Sequence, residues 1–400
     1  MDLLANLATG FAVAGTPINL LYALIGCLLG TLIGVLPGIG PVATIAMLLP
    51  ATYALPYATG PVSSLIMLAG IYYGAQYGGS TTAILVNLPG ESSSVVTTLD
   101  GYQMARQGRA GPALAAAGLG SFFAGCVGTL LIAAFAAPLT EVAFAFGPAE
   151  YCALMVVGLV GAVVLASGSL LKAIAMIILG LLLGLIGTDV NSGMARFTFD
   201  TPELTDGIGF VAVAMGVSGY GEIISNLAKS DLEREVFTAR VQGLFPTRED
   251  FKNMMPAVLR GTALGSVLGI LPGGGAVLAS FLSYAMERKL SKRPEEFGKG
   301  AVEGVAGPES ANNAGTAGAF VPLLCMGIPA NAITALLLGA FIAELIHFMP
   351  QLLDLTNIDP EQVILAVLSL IDLSLAGNLV VIVIFSGYEN FVSRINTENA

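Results

Sequence analysis

The sequence predicts an all-α polytopic membrane protein with two inverted repeats, each containing a helical hairpin tipped by Leu-Pro-Gly and a broken transmembrane helix. Three observations support this fold class. First, 55% of the 400 residues are hydrophobic, 11% are charged and the mean hydropathy is +0.83, which is typical of helical membrane proteins. Second, the segment GVLPGIGP (34–41) returns as GILPGGGA (269–276). Third, eleven of the sixteen lysines and arginines lie between Lys229 and Lys299.

The Leu-Pro-Gly segments belong to an internal duplication at a constant offset of 235 residues. Nine of eighteen positions are identical between residues 26–43 and 261–278. Proline removes a backbone donor and glycine permits strained backbone, so each copy is expected to interrupt an apolar helix. The identities include a glycine ladder, which we expect to be a helix-packing surface. Its members are Gly26, Gly30 and Gly34 in the first copy and Gly261, Gly265 and Gly269 in the second.

Hydropathy divides the chain into two repeats separated by connecting spans. The first repeat, 18–138, is predicted to contain a hairpin at 18–50, a broken helix at 65–100 and a span at 112–138. Connecting transmembrane spans at 149–228 and a charged cytoplasmic segment at 229–260 follow. The second repeat, 261–386, is predicted to contain a hairpin at 261–287, a broken helix at 304–345 and a span at 361–386.

The basic residues predict how these segments are oriented. Both flanks of the second Leu-Pro-Gly segment are rich in Lys and Arg, so both are expected in the cytoplasm, with the Leu-Pro-Gly turn at the tip of the hairpin. Counting spans outward from there places Arg106 and Arg109 inside, and the loop 346–360, which has no Lys or Arg, outside. Corresponding loops of the two repeats then face opposite sides, as in many secondary transporters.

Four breaks are predicted within the membrane segments, at 74–80, 87–93, 307–315 and 327–331. Irregular backbone at membrane depth is tolerated only where protein or a water-lined cavity satisfies it. Helix ends, hydroxyls and carboxamides at such breaks can hold a carboxylate. The 235-residue offset pairs Thr81 with Thr316. The candidate substrate-binding residues are Gly78, Gly79, Ser80, Thr81, Thr82, Asn87, Pro89, Gly90, Ser92, Asn312, Asn313, Thr316, Gly327, Pro329 and Asn331.

The candidate cation ligands are two acids at the breaks, Glu91 and Glu309, and the turn glycines Gly38 and Gly273. Acids inside a membrane are costly and usually functional, and carbonyls at helix ends can hold Na⁺. Alternatives remain open. The two acids could balance helix dipoles near a wet break, Asn312 and Asn313 could cap a helix, and the hydroxyls of 80–82 could bond back to their own helix.

The composition disfavours several function classes. A net charge of −11 argues against a nucleic-acid partner. The sequence contains no GxSxG, HExxH or P-loop motif, and its one histidine, His347, lies at a predicted membrane edge. These features disfavour the alternative of an intramembrane enzyme. No cofactor is expected apart from Na⁺ as a candidate coupling ion. The N-terminus lacks a basic region, so no cleavable signal peptide is expected. The cysteines Cys27, Cys126, Cys152 and Cys325 show no pairing or ligand spacing.

Several long motifs resemble the large membrane subunit of tripartite tricarboxylate transporters. They are GVLPGIGP, AGIYYGAQYGGSTTAILVNLPG, LDGYQMARQGRAGPAL, LPGGGAVLASFLSYAMERKLSKRPEEFGKGAVEGVAGPESANNA and PLLCMGIPANAITALLLGA, in this order over residues 20–340. The resemblance implies a multi-pass protein of the bacterial inner membrane that takes up carboxylates such as citrate in symport with a cation, together with a small membrane subunit and a periplasmic solute-binding protein. The family's characteristic stretches map onto Gly78–Thr82, Asn87–Gly90, Glu309–Asn313 and Gly327–Pro329.

The C-terminal part is where the chain departs from this resemblance. Members of the family continue with further spans, whereas one predicted span and the tail FSGYENFVSRINTENA follow here. An alternative to the transporter is therefore a truncated, non-transporting copy that acts as a membrane scaffold or a channel-like remnant. The glycine-rich faces would also permit a homodimer in the lipid bilayer.

Overall fold

The computed structural model describes most of the chain up to residue 341. The described residues are 3–53, 60–145, 147, 149–150, 152–153, 156, 159–160, 170–189, 192–208, 213, 243–271, 275–326, 329–331 and 333–341. Gly273, Gly327 and His347 lie outside them, as do the predicted span 361–386 and most of 149–242. The described part is mostly helical, which agrees with the predicted all-α class.

Ten α-helices and one short strand pair are defined within the described residues. The helices are α1 (Leu3–Ala14), α2 (Pro17–Gly34), α3 (Gly40–Tyr53), α4 (Gly60–Val86), α5 (Val95–Arg106), α6 (Ala110–Ala145), α7 (Leu170–Gly184), α8 (Arg248–Gly269), α9 (Gly275–Leu290) and α10 (Glu303–Met326). The strands β1 (Gly187–Thr188) and β2 (Ala195–Arg196) pair antiparallel, and two 3₁₀ turns cover Pro202–Leu204 and Pro294–Glu296. Residues 333–341 are also helical.

In the first half, α2 and α4 pack through glycine at van der Waals contact of their backbones. A Cβ at Gly30 would overlap the carbonyl oxygen of Ile71, and one at Gly26 would overlap that of Met67. Helix α4 also contributes glycine to this contact, since a Cβ at Gly74 would overlap the backbone of Cys27 on α2. Because the contacts advance together along both helices, α2 and α4 run parallel. Small residues allow this approach, which side chains would prevent.

In the second half, α8 and α10 repeat this arrangement. A Cβ at Gly265 would overlap the carbonyl oxygen of Ala311, and one at Gly269 would overlap that of Gly315. These helices also run parallel. The partner positions on α4 and α10 differ by 240 residues, because Ile71 corresponds to Ala311. The offset is 235 residues between α2 and α8 and 240 residues between α4 and α10. The second half therefore has five more residues between its Leu-Pro-Gly segment and α10 than the first half has between its segment and α4.

Two of the four predicted breaks are wrong. Residues 74–80 lie inside the continuous helix α4, and 307–315 lie inside the continuous helix α10. The glycines that suggested a break serve instead for close packing: Gly78 lies against the end of α2 and Gly315 against the start of α9. The 240-residue offset also aligns Gln76, not Thr81, with Thr316.

The Leu-Pro-Gly segment of the first half is a tight turn between α2 and α3. Gly38 and Gly40 have φ angles of 86° and 63°, which are costly for residues with a side chain. In the second half α8 and α9 run antiparallel, since Gly269 lies against Gly275 at one end while Arg260 Nε donates to Glu287 Oε1 over 2.8 Å nearer the other. Helix α8 begins at Arg248, so the end of the predicted charged segment is continuous with the ladder helix.

The two halves meet where α4 and α10 cross in opposite directions. The rings of Tyr72 and Phe320 are 6.0 Å apart, Gln76 bonds to Thr316, and Ser80 bonds to Glu309. Along these contacts the residue numbers rise from 72 to 80 on α4 and fall from 320 to 309 on α10, so the two helices are antiparallel. Helix α6 lies along the other side of α10, with Gly128 beside Ala317.

The apolar surface agrees with a membrane environment. Among the described residues, two helices have the length and hydropathy to cross a membrane, Pro17–Gly34 and Ala110–Leu131. Helix α7 is apolar apart from Lys172 in its first turn and has no buried residue within the described part, and Leu171 is 77% exposed. Such surface is unfavourable in water and suits lipid or another apolar helix.

Candidate functional site

A buried polar cluster lies where α4 crosses α10, and the sequence builds it by helical spacing. On α10, Glu309, Asn312, Asn313 and Thr316 follow one another at i, i+3, i+4 and i+7, which places them on one face. On α4, Gln76 and Ser80 are one turn apart. All six side chains are at most 5% exposed. Polar groups buried to this extent need partners, and five of the six bond across the crossing or to the neighbouring break, whereas Asn313 bonds to α6 and to its own helix.

Glu309 forms one centre of the cluster. Ser80 Oγ of α4 donates to its Oε2 over 2.8 Å, and Thr97 Oγ1 of α5 donates to its Oε1. Neither partner carries charge, and no lysine or arginine is bonded to this carboxylate within the described part of the chain. Hydroxyl oxygens have free lone pairs as well as a proton, so the same three side chains offer a hard oxygen environment to a small cation.

Glu91 forms the second centre, in the irregular segment between α4 and α5. Its Oε1 accepts from Ser93 Oγ over 2.8 Å and from Asn312 Nδ2 over 3.1 Å. Its backbone N–H donates to Ser94 Oγ, which closes a turn before α5. The first half thus supplies an acid from a helix break, and the second half supplies the carboxamide that holds it.

Gln76 connects the centres at the crossing itself. Thr316 Oγ1 donates to Gln76 Oε1 over 2.8 Å, and Gln76 Nε2 lies 3.5 Å from Asn312 Oδ1. Gln76 and Thr316 occupy equivalent positions at the 240-residue offset.

The segment 87–94 brings backbone to the cluster. Gly90 N–H donates to Gly79 O, and a Cβ at Gly90 would overlap Gly79 and approach the carbonyl oxygen of Gly34. Asn87 has a φ of 59°, an uncommon value for a residue with a side chain. The end of α2, the start of α3 and this break therefore converge, since Gly40 also faces the carbonyl of Gly90.

The second half has a matching turn at 331–334. Asn331 N–H donates to Thr334 Oγ1, and Thr334 N–H donates to Asn331 Oδ1, both over 2.9 Å. This reciprocal pair caps the helix at 333–341. At the 240-residue offset Asn331 corresponds to Glu91 and Thr334 to Ser94, which closes the turn in the first half.

The structure brings some of the predicted residues into the cluster and places others beside it. Ser80, Glu91, Glu309, Asn312 and Thr316 are bonded across the helices, and Gly79 and Gly90 form the backbone contact between α4 and the break. Thr81 and Thr82 donate to their own helix, at Tyr77 O and Gly79 O. Gly78 packs on α2, Pro89 is buried in the break, and Asn87 and Ser92 are partly exposed there. Gly38 is exposed at its turn, and Pro329 is half-buried.

Asn312 and Asn313 lie in the middle of α10, so they do not cap a helix. They serve different neighbours: Asn312 reaches Glu91, whereas Asn313 Nδ2 donates to Ser121 Oγ of α6 over 2.6 Å and to Glu309 O. Sequence reasoning missed Gln76 and Thr97. The signal for Gln76 was its helical spacing to Ser80, which the predicted break at 74–80 concealed.

A second polar region joins the ends of the two halves. Asp100 of α5 is fully buried and its Oδ1 accepts from the N–H groups of Gly298, Gly300 and Ala301, at 2.8–2.9 Å. Tyr284 Oη of α9 donates to its Oδ2 over 2.7 Å. Next to it, Gln107 Nε2 donates to Lys299 O, and Arg109 pairs with Asp250.

A largely helical chain whose antiparallel central helices share buried acids, hydroxyls and carboxamides has the features of a membrane transport protein. The comparisons with known proteins agree. The chain belongs to the tripartite tricarboxylate transporter TctA family, whose model matches residues 20–398. This confirms the resemblance seen in the motifs, and the match continues past residue 340, where those motifs end. The family is one of transporters, not of enzymes.

Two relatives come from Agrobacterium vitis. The chain is 58% identical over 344 residues to the "uncharacterized 52.8 kDa protein in TAR-I ttuC′ 3′ region", a match that covers 86% of this chain and 68% of the relative. It is 65% identical over 80 residues to the "uncharacterized protein in TAR-II ttuC′ 3′ region", which covers 20% of this chain and 33% of that relative. No solved structure matches the chain.

Proposed function

We propose that the chain is the substrate-translocating subunit of a bacterial inner-membrane symporter that imports tricarboxylates or related carboxylates, such as citrate. It would work by alternating access with a small membrane subunit and a periplasmic solute-binding protein, as the family to which it belongs suggests. The observation that carries the proposal is the buried cluster at the crossing of α4 and α10. Its members come from both halves, so a movement of one half against the other would rearrange it.

The cluster supports cation coupling through its two acids. Glu309 and Glu91 are 1% and 4% exposed and hydrogen-bonded by neutral groups only, within the described residues. A buried carboxylate without a basic partner is stable when a proton or a cation neutralises it. Ser80 and Thr97 are suited to coordinate Na⁺ with Glu309, because each hydroxyl oxygen can turn a lone pair towards the ion.

The carboxylate would be bound by neutral donors. Asn312, Gln76 and Thr316 present carboxamide and hydroxyl groups at the crossing, and the backbone of 87–94 and 329–331 lies at helix ends on either side. Donors of this kind hold anions without a fixed positive charge. Repulsion between substrate and acids would then fall when the acids are neutralised, which makes substrate binding depend on the cation.

An inverted relation between the repeats is part of the proposal. It is supported by two features: each half packs its own pair of parallel helices through glycine, and the central helices of the two halves are antiparallel. Equivalent helices that run in opposite directions about an axis through Gln76 and Thr316 would give the site similar access from either side of the membrane.

The test is uptake of radiolabelled citrate into vesicles that contain the chain, the small membrane subunit and the binding protein, with and without a Na⁺ gradient. We expect gradient-dependent uptake that Asn312→Ala reduces at least about tenfold, because this change removes the donor to a buried carboxylate. Ser310→Ala is the matched control. It removes a hydroxyl on the same helix whose one hydrogen bond within the described part is to Ala306 O, and which lies beside Gly120 of α6.

Three results would contradict the proposal in different ways. Equal uptake by wild type and Asn312→Ala would move the site elsewhere in the molecule. Uptake that a proton gradient drives without Na⁺ would replace Na⁺ by H⁺ as the coupling ion. A correctly assembled complex without any uptake would favour the alternative of a non-transporting membrane scaffold.

A further inference from the structure

Tyr72 is a buried side chain whose hydroxyl is not hydrogen-bonded within the described part of the chain. The residue is fully buried on α4, and its Oη has no hydrogen-bond partner among the residues that the structure describes. A hydroxyl removed from water without a partner destabilises a fold, so such groups are rare in native proteins and call for an explanation. A phenylalanine would fill the same space without that cost.

The hydroxyl faces the polar cluster. The Tyr72 ring packs against Phe320 and Tyr73, with centroid distances of 6.0 and 5.9 Å, and its polar end lies beside Thr316 and Asn331. Those two neighbours are engaged with others: Thr316 Oγ1 donates to Gln76, and Asn331 Oδ1 accepts from Thr334. The Thr316 oxygen keeps its lone pairs when it donates, but Tyr72 Oη forms no hydrogen bond with it or with any other described residue. The hydroxyl therefore points to the crossing without an acceptor among the described residues.

The position of Tyr72 in the repeat strengthens the argument. At the 240-residue offset Tyr72 corresponds to Asn312, whose Nδ2 holds Glu91. Each half thus places a neutral hydrogen-bond donor one turn from the central pair Gln76 and Thr316, from opposite directions. The donor of the second half bonds to an acid of the protein, whereas the donor of the first half has no acceptor among the residues that the structure describes.

We propose that Tyr72 Oη donates a hydrogen bond to a carboxylate of the transported anion, and so helps to determine the specificity of the site. This inference rests on the proposed function. A phenol hydroxyl is suited to a carboxylate, because it is a good donor that carries no charge and keeps its proton at neutral pH. A site that contains an otherwise unpaired donor also disfavours ligands that lack the matching acceptor.

The experiment compares Tyr72→Phe with Ser283→Ala. Ser283 Oγ of α9 is the second buried hydroxyl of interest, because it also has no partner in the described part of the chain and lies beside Gly307 instead of at the crossing. Both changes remove one unpartnered oxygen. For each variant, in complex with the small membrane subunit, thermal unfolding is measured without ligand and with a citrate titration, and citrate uptake is measured in vesicles.

We expect both variants to unfold without ligand at or slightly above the wild-type temperature. Citrate affinity should fall about tenfold in Tyr72→Phe, as for the loss of one hydrogen bond to a charged group, and should not change in Ser283→Ala. Wild-type affinity in Tyr72→Phe would overturn the role of Tyr72 while leaving the proposed transport intact. Lower stability of Tyr72→Phe without ligand would overturn it too, since the hydroxyl would then have a structural partner. Absence of citrate stabilisation in wild type, with no uptake, would overturn both proposals.

Discussion

Asp100 and Glu309 are both fully buried acids, and their surroundings are opposite in kind. Asp100 accepts three backbone N–H groups and one tyrosine hydroxyl, all from the second half of the chain. Glu309 accepts two side-chain hydroxyls, Ser80 and Thr97, from the first half. Each acid therefore ties the halves together, one through fixed donors and the other through groups that can rotate.

The different donors indicate that Asp100 has a structural role and that Glu309 is the candidate functional acid. A backbone N–H can only donate, so the nest around Asp100 requires an acceptor at all times. Gly298 and Gly300, with φ angles of 80° and 108°, turn their N–H groups towards the carboxylate, as in anion-binding nests. A hydroxyl can donate or accept, so Ser80 and Thr97 can bond to Glu309 or offer oxygens to a cation beside it.

The largest effect is expected from Asp100→Ala. The change removes the acceptor of three N–H groups, of which that of Ala301 is buried, and of the buried Tyr284 hydroxyl. Each buried group left without a partner costs about 1–3 kcal/mol. We expect the free energy of unfolding to fall by at least about 3 kcal/mol. Thermal unfolding of the detergent-solubilised complex would measure this, with Tyr284→Phe as a matched variant that removes one donor and leaves three. If Asp100→Ala were no more damaging than Tyr284→Phe, the nest would not stabilise the fold.

The next largest effect is expected from Glu309→Gln, which should reduce transport and leave stability almost unchanged. The amide keeps the shape of the side chain: one hydroxyl can still donate to its carbonyl oxygen, and the other can turn to accept from its NH₂ group. We expect unfolding to change by less than about 1 kcal/mol, while Na⁺-driven citrate uptake falls to the background of empty vesicles. The Na⁺ dependence of thermal stability should also disappear.

Two results would break the distinction between the acids. One is retained Na⁺-dependent uptake in Glu309→Gln, which would make this acid dispensable for coupling. The other is a loss of stability as large as that of Asp100→Ala, which would make Glu309 a structural acid as well. Ser310→Ala, next to it on α10 but facing α6, controls for disturbance of the helix.

Sequence reasoning found Glu309 and Asn312 because polar residues are conspicuous in an apolar run, and their cost in a membrane points to function. It did not find Asp100, which lies in the more polar helix α5, where an acid is not unusual. Its partners are 184–201 residues away in the chain, and no local pattern encodes such a contact. The same limit applies to Thr97, whose bond to Glu309 spans 212 residues.

The glycines show why the two breaks at 74–80 and 307–315 were predicted wrongly. Glycine weakens a helix locally, and the segments QYGGS and ANNAG therefore resemble interruptions. In the structure Gly78 and Gly315 sit where another helix approaches, and the close packing outweighs the low helix propensity. At 87–94 Gly90 also packs closely, against Gly79, but Pro89 precedes it and disfavours a continued helix, and there the helix is interrupted.

A third acid, Asp250, differs from Asp100 and Glu309 because an arginine is among its hydrogen-bond partners. Asp250 caps α8 through a reciprocal bond with Thr247 and pairs with Arg109. Burial alone would raise the pKa of Asp250, but the Thr247 hydroxyl and N–H and the Arg109 guanidinium outweigh it and hold the pKa below its ordinary value of 3.8. The Arg109 side chain is 36% exposed, so solvent weakens the pair.

Arg109→Gln should therefore give the smallest effect, a loss of about 0.5–1 kcal/mol at pH 7, because it removes the ion pair and leaves the Thr247 cap intact. A carboxylate with a lowered pKa in the folded state stabilises the fold above its unfolded pKa, and this contribution is lost as the pH falls through the folded pKa. The difference between wild type and Arg109→Gln should thus be constant above about pH 5, shrink below pH 4 and decrease with added salt. Unfolding measured against pH and ionic strength tests this.

A difference that persists at low pH would mean that Arg109 acts through its bond to Gly300 O rather than through charge. Arg109 would then stabilise the fold through a hydrogen bond to the backbone, as the backbone bonds of Asp100 do, and not through its charge.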